Sequence, residues 1–143
     1  YRDYTTDIHT IDKNEFEQMC PNYELITKLH PSIKNYDSDE RDIQELVEMA
    51  DVIITDYSSL SIEASILNKP IVFYCYDEEK YDEMRGLNKH YYEMTKENKA
   101  YDLDTLYKLV NESKLNNEIK PMWHQYTNFD ATKKLIDFIN KGA

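Results

Sequence analysis

Residues Ala50–Tyr74 read ADVIITDYSSLSIEASILNKPIVFY, and the fold follows from their order. Val52-Ile53-Ile54 is a short run without polar interruption, the pattern of a strand buried on both faces. Asp56-Tyr57-Ser58-Ser59 brings turn and N-cap chemistry. Leu60 to Leu67 then reads as a helix, Asn68-Lys69-Pro70 breaks it, and Ile71-Val72-Phe73-Tyr74 is a second apolar strand. Strand, turn, helix, breaker and strand in that order make a parallel pair joined by a right-handed crossover. Ligands of such sheets lie beyond the carboxyl ends of the strands.

Upstream, Asp39 to Ala50 carries Ile43, Leu46, Val47 and Met49 at helical spacing between acidic residues, so a helix feeds the first of these strands. Before it, Tyr23 to Leu29 alternates and is rich in strand formers, which predicts a further strand ending at His30-Pro31. Ile11 to Cys20 predicts a helix with Asp12 as its cap and Pro21 as its stop. The expected core is therefore β-α-β-α-β, an α/β fold whose Rossmann-like parallel sheet has flanking helices. Downstream, Asp102 to Val110 and Phe129 to Ile139 show apolar stripes expected of packing helices, the second capped by Thr127 or Asn128. Three loops then fall at the carboxyl edge: Leu29-His30-Pro31, Thr55 to Ser59, and Cys75-Tyr76-Asp77.

The 143 residues fit one domain, or one half of a two-lobed protein, and 41% are hydrophobic, enough for a real core. Against 28 Asp and Glu stand 17 Lys and Arg, a net charge of −11 that repels a nucleic-acid backbone. No apolar run approaches the roughly 20 residues of a membrane-spanning helix, and the first residues lack a basic-then-hydrophobic signal, so a soluble, cytosolic chain is expected. Cys20 and Cys75 show no CxxC spacing and no His pair beside them, which predicts core thiols rather than a zinc site or a disulfide. Only two glycines and four prolines occur, and no repeat or linker-like tract divides the chain.

Chemistry concentrates at the carboxyl edge. In Thr55 to Ser59 a strand turns into a helix through two small hydroxyl residues, which aims N–H groups and hydroxyls at one point, an anion site or else a plain N-cap. Glu63, one turn into that helix, suits a ribose diol as well as it suits solvent. His30 stands at the expected strand end, held extended by the following proline, as a phosphate donor, an acid near neutral pH, or a structural side chain. Arg85-Gly86 follows the acidic stretch Asp77 to Glu83, read as a loop, and offers either a guanidinium clamp for phosphate with a glycine permitting close approach, or a surface ion pair. Among the 13 tyrosines, Tyr74, Tyr76, Tyr81, Tyr91 and Tyr92 suit a stacking wall for a base or ordinary packing. His9, His90 and His124 have no comparable setting.

Taken in order, Lys28-Leu29-His30-Pro31, Ala50 to Ser59, Lys69-Pro70-Ile71-Val72-Phe73-Tyr74 and Tyr81 to Gly86 resemble the CDP-glycerol glycerophosphotransferases of teichoic-acid synthesis. Tyr1-Arg2-Asp3 is similar to the end of that family's first strand in this lobe, and Asn128-Phe129-Asp130 to the opening of its last helix. The resemblance implies the carboxyl-terminal half of a GT-B fold, a single lobe over residues 1–143 that holds a CDP-linked donor within a longer, two-lobed enzyme. It implies His30 near the donor pyrophosphate, Asp56, Ser58 and Ser59 at the phosphate end, and Arg85 approaching from the following segment, with no metal or other cofactor. Glycerol phosphate, or another alditol phosphate, would pass from the CDP-linked donor to a lipid-linked acceptor hydroxyl bound through the other lobe. Peripheral association of the whole enzyme with the inner face of the membrane is implied too, and no nucleic-acid partner.

The helix after the turn reads Ser59-Leu60-Ser61-Ile62-Glu63-Ala64, where the family commonly has an aromatic-Asp-aromatic run. This form also resembles the "DSGG…EA" turn of nucleotide-sugar glycosyltransferases and epimerases, in which the Glu holds the ribose. A donor lobe for UDP- or GDP-sugars is thus the alternative, and a non-catalytic nucleotide-binding module is the second alternative for the chain in isolation.

Overall fold

The computed structural model describes residues 10–30, 33, 37–116, 119–123 and 131–141. Tyr1-Arg2-Asp3, His9, Pro31, His124, Thr127, Asn128, Phe129 and Asp130 lie outside the described residues. Among the described residues the sheet is parallel and three-stranded, with β1 at Ile53–Thr55, β2 at Ile71–Tyr74 and β3 at Lys99–Ala100, in the order β1-β2-β3. Ile53 pairs with Ile71, and Phe73 with Lys99. Helix α1 covers Lys13–Met19 and α2 covers Ile43–Met49; α3, Leu60–Ile66, makes the β1-to-β2 crossover, and α4, Glu78–Arg85, with α5, Lys89–Thr95, fills the β2-to-β3 connection. Helices α6, Leu103–Glu112, α7, Ile119–Trp123, and α8, Ala131–Asn140, follow.

Strand alternation sorts the core into two layers, as the period of two requires. Ile53, Ile71, Phe73 and Cys75 face one side with Val47 of α2, Ala64 of α3, Tyr91 and Met94 of α5 and Ile119 of α7. Val72 and Ala100 face the other with Phe16 and Cys20, at and just beyond α1, and Leu106, Tyr107 and Val110 of α6. The sheet is thus covered on both faces, as its unbroken apolar strands imply. Cys20 and Cys75 are free, fully buried core thiols. Asp12, the expected cap of α1, accepts from Glu15 N at 2.8 Å, and Asp102 caps α6 by accepting from Thr105 N at 2.8 Å.

Three expectations are corrected. Among the described residues, Tyr23 to Leu29 joins no ladder, and the third strand is β3. Its alternation is real, because Tyr23, Leu25, Thr27 and Leu29 are half-buried while Glu24, Ile26, Lys28 and His30 are exposed. Tyr23 and Leu25 pack on the α1/α6 layer, and backbone groups of the segment find partners off the sheet: Leu29 N donates to Ser38 Oγ at 2.9 Å, and Thr27 O accepts from Asp39 N at 2.8 Å. Half-burial alone produces the same pattern as a strand. The acidic stretch Asp77 to Glu83 is helical in α4: Glu78 and Glu79 open it and Arg85 closes it, each charge matched to the helix dipole. Gly86, at φ +73°, ends the helix. Finally, α8 forms, but Leu135, Ile136, Phe138 and Ile139 are exposed, so its stripe is unpacked among the described residues.

Candidate functional site

The carboxyl ends of β1 and β2 bring two chemically loaded segments side by side. The turn Asp56–Ser59 leaves β1 and runs into α3, with Asp56 and Tyr57 half-buried and Ser58 and Ser59 exposed. Ser58 does the capping: its Oγ accepts from Leu60 N at 3.2 Å and its carbonyl accepts from Ser61 Oγ at 3.2 Å. Ser59, in αR geometry at the nominal cap position, makes no side-chain cap bond. Glu63 follows in the first turn of α3 and is exposed. Asp56, Ser58, Ser59 and Glu63 therefore share one short stretch.

Tyr57 joins that turn to α4. Its hydroxyl donates to Asp77 Oδ1 at 2.8 Å, and its ring stacks on Tyr81 at 3.9 Å between centroids and 18° between planes. Burial, then the hydrogen bond to Asp77, push the Tyr57 phenol far above its ordinary range, so it stays a donor. Arg85 stands exposed in the last turn of α4. A Cβ at Gly86 would meet nothing within 4 Å, so its backbone angle, not a close approach, requires glycine there.

His30 follows the alternating segment Tyr23 to Leu29. The segment before it is not a sheet strand, so His30 does not stand at the end of one; it is exposed, and its carbonyl accepts from Ile33 N at 2.8 Å. Lys28, two residues earlier, ties the segment to the loop that follows by donating to the carbonyls of Asp39 and Arg41, each at 2.7 Å. Arg41 in turn grips the Asp39 carboxylate through Nε at 2.9 Å and Nη2 at 2.7 Å, holding that carboxyl well below the usual range.

Sequence reasoning missed the polar cluster beside the turn. Lys99 of β3 pairs with Glu78 of α4, the two side chains 9% and 14% exposed, and Tyr101 Oη donates to Glu78 Oε1 at 3.1 Å. The Lys99 ammonium lies over the rings of Tyr91, Tyr92 and Tyr101 at 4.8, 5.1 and 5.7 Å. Cys75 Sγ and Tyr91 Oη are 2.7 Å apart, and burial pushes the thiol up to about 11, which keeps it protonated and inert. Asp56 adds to the raised values of both Cys75 and Tyr91, so its charge is felt in this cluster. No sequence pattern marks Lys99, because the strand Lys99–Ala100 is too short to hold a period. Of the tyrosines offered as a stacking wall, Tyr91 is buried, Tyr74, Tyr76 and Tyr81 are half-buried and Tyr92 is exposed, with Tyr81 already stacked on Tyr57.

A family model described as CDP-Glycerol:Poly(glycerophosphate) glycerophosphotransferase matches residues 1–140. The chain is 41% identical over 145 residues to a teichoic acid glycerol-phosphate primase of Staphylococcus aureus, covering 99% of this chain and 40% of that protein. It is 33% identical over 156 residues to a protein of the same name from Bacillus subtilis, covering 97% and 41%. A teichoic acid poly(ribitol-phosphate) polymerase of Bacillus spizizenii is 32% identical over 143 residues, covering 87% and 23%. The chain thus spans about two-fifths of the length of the two primases.

Proposed function

The chain belongs to the CDP-glycerol:poly(glycerophosphate) glycerophosphotransferase family, and from that premise we propose that it forms the donor-binding lobe of a GT-B enzyme that transfers glycerol phosphate in teichoic-acid synthesis. The observation that carries the reading is the turn Asp56–Ser59: two exposed serines and a half-buried carboxylate leave the carboxyl end of β1, and Tyr57 ties the turn to Asp77 and Tyr81 of the segment whose helix, α4, ends in Arg85. In α/β sheets this edge is where nucleotides sit.

The acceptor hydroxyl attacks the β-phosphorus of CDP-glycerol, the new P–O bond forms as the bond to the α-phosphate oxygen breaks, and CMP leaves with that electron pair. Ser58 and Ser59 donate to phosphate oxygens, Arg85 supplies a bidentate positive clamp, and His30 donates to the pyrophosphate; together they offset the charge that gathers on the departing CMP. Asp56 orients this constellation, and Glu63 takes the ribose hydroxyls. The base that removes the hydroxyl proton and the lipid-linked acceptor belong to the facing lobe of the whole enzyme, which works at the inner face of the membrane. No described helix is long and apolar enough to cross a membrane. The polymerase relative named for ribitol phosphate supports a site open to glycerol phosphate or another alditol phosphate.

Calorimetric titration of the chain with CDP-glycerol, CDP-ribitol, CMP and UDP tests the reading. Cytidine ligands are expected to bind in preference to UDP, and Ser58→Ala or Arg85→Ala to weaken CDP-glycerol about tenfold, the scale of one charge-assisted hydrogen bond. Preference for UDP, with Glu63→Ala as the damaging change, would transfer the chain to the nucleotide-sugar reading.

A further inference from the structure

Apart from His30 and Glu63, the residues proposed to meet the donor sit on two separate pieces of chain, the turn Asp56–Ser59 and helix α4. Helix α4 buries no residue of its own, so side-chain ties set where it lies. Tyr57 makes two of these, its hydrogen bond to Asp77 and its stack on Tyr81. Asp77 is the N-cap residue of α4, yet its carboxylate caps no N–H of that helix; it accepts from the Tyr57 hydroxyl instead. An N-cap carboxylate ordinarily stabilises its own helix, so this use is a cost to α4 that the tie to the turn offsets. Asp77, Tyr81 and Arg85 are spaced four apart, which puts them in one stripe along α4. The stripe that docks on Tyr57 is therefore the stripe that carries Arg85.

We infer that Tyr57 is a positioning residue: through Asp77 and Tyr81 it holds the Asp56–Ser59 turn and the Arg85 stripe of α4 in one arrangement, so that the phosphate groups of a nucleoside diphosphate meet both at once. The inference rests on the donor-site reading above. Tyr57 itself reaches no phosphate in this scheme. Its ring is packed against the core layer that holds Cys75 and Tyr91, and what it contributes is the relation between the two segments.

The test uses the full chain with Tyr57→Phe, which keeps the ring and loses the hydroxyl, and Asp77→Asn, whose amide oxygen still accepts. Amide hydrogen exchange of the unliganded protein is followed at Leu60, Ile62 and Tyr81, and CDP-glycerol is titrated with and without Arg85→Ala. Faster exchange is expected at these amides in Tyr57→Phe, with the fold otherwise kept. Donor affinity should fall about three- to tenfold, the scale of one hydrogen bond; it should fall no further in the Arg85→Ala background, and Asp77→Asn should stay near wild type. Unchanged exchange in folded Tyr57→Phe overturns the tie whatever the ligand does. Altered exchange with unchanged affinity, or an equal loss of affinity in both backgrounds, overturns the positioning role. Affinity indifferent to both Ser58→Ala and Arg85→Ala overturns instead the donor-site reading, and the unliganded exchange data separate that failure from the first.

Discussion

Asp102 shows what one side chain does for this fold. It accepts from the Thr105 backbone N–H at 2.8 Å and from the Thr105 hydroxyl at 3.1 Å, and those bonds, the backbone one first, hold its carboxyl below the ordinary value. A folded value below the unfolded one means that the cap stabilises fully above the unfolded pKa, and that this contribution fades as pH drops through the folded value. Asp102→Ala is therefore expected to lower the Tm at pH 7 by about 3 °C, as a lost cap in a domain of this size should. The gap to wild type should close as pH falls below about 3.9. Thermal melts of the two proteins between pH 7 and pH 2.5 check this, and a gap constant across that range would deny the carboxylate its part. The helix was legible from its apolar stripe, Asp102 to Val110, whereas the cap itself shows only in the bond to Thr105. His30 shows the limit: its dipeptide with Pro31 fixed a local conformation, while its place depended on whether the preceding seven residues found a sheet edge.

At the scale of elements, the pairing of Lys99 with Glu78 fastens α4 to β3 inside a wall of tyrosines. Removing one partner leaves a mostly buried charge uncompensated, so Glu78→Gln alone should cost about 3 kcal/mol, and Glu78→Leu together with Lys99→Met should recover much of it. Urea midpoints at constant m-value measure both. Strands β1 and β2 were readable because a strand buried on both faces must be apolar throughout, and the crossover between them carries its own breaker, Asn68-Lys69-Pro70. Strand β3 was not, because Lys99–Ala100 is too short to hold a period and its lysine is acceptable only because Glu78 comes from another element. The same holds for the site: the turn Asp56–Ser59 announces itself locally, whereas the alliance of Tyr57 with Asp77 and Tyr81 exists only once α4 has folded beside that turn. Helix α4 itself escaped notice because it buries no apolar stripe.

At the scale of the molecule, a net charge of −11 must coexist with the pyrophosphate of the proposed donor. Long-range repulsion slows the encounter at low ionic strength and is screened as salt rises, while the short contacts in the site are screened far less. The association rate of CDP-glycerol is thus expected to increase between about 10 and 150 mM salt, where the Debye length shrinks from about 30 to 8 Å; stopped-flow at fixed temperature reads it, and a monotonic fall would mean that a local positive field outweighs the global one. The layer that closes the far face of the sheet has a consequence in time. Helix α1 is fastened to the region of α6 by Cys20 Sγ donating to Tyr107 O, by Tyr23 Oη with Ser113 Oγ, and by Asn111 Nδ2 donating to Met19 O, partners 87, 90 and 92 positions apart. With synthesis at about 5–20 residues per second, α1 leaves the ribosome roughly 4–17 s before the α6 residues that cover Phe16 and Cys20 exist. During that interval the nascent chain carries a naked phenyl ring and a reactive sulfur, so chaperone occupancy and thiol trapping on stalled chains should both peak before residue 113 emerges.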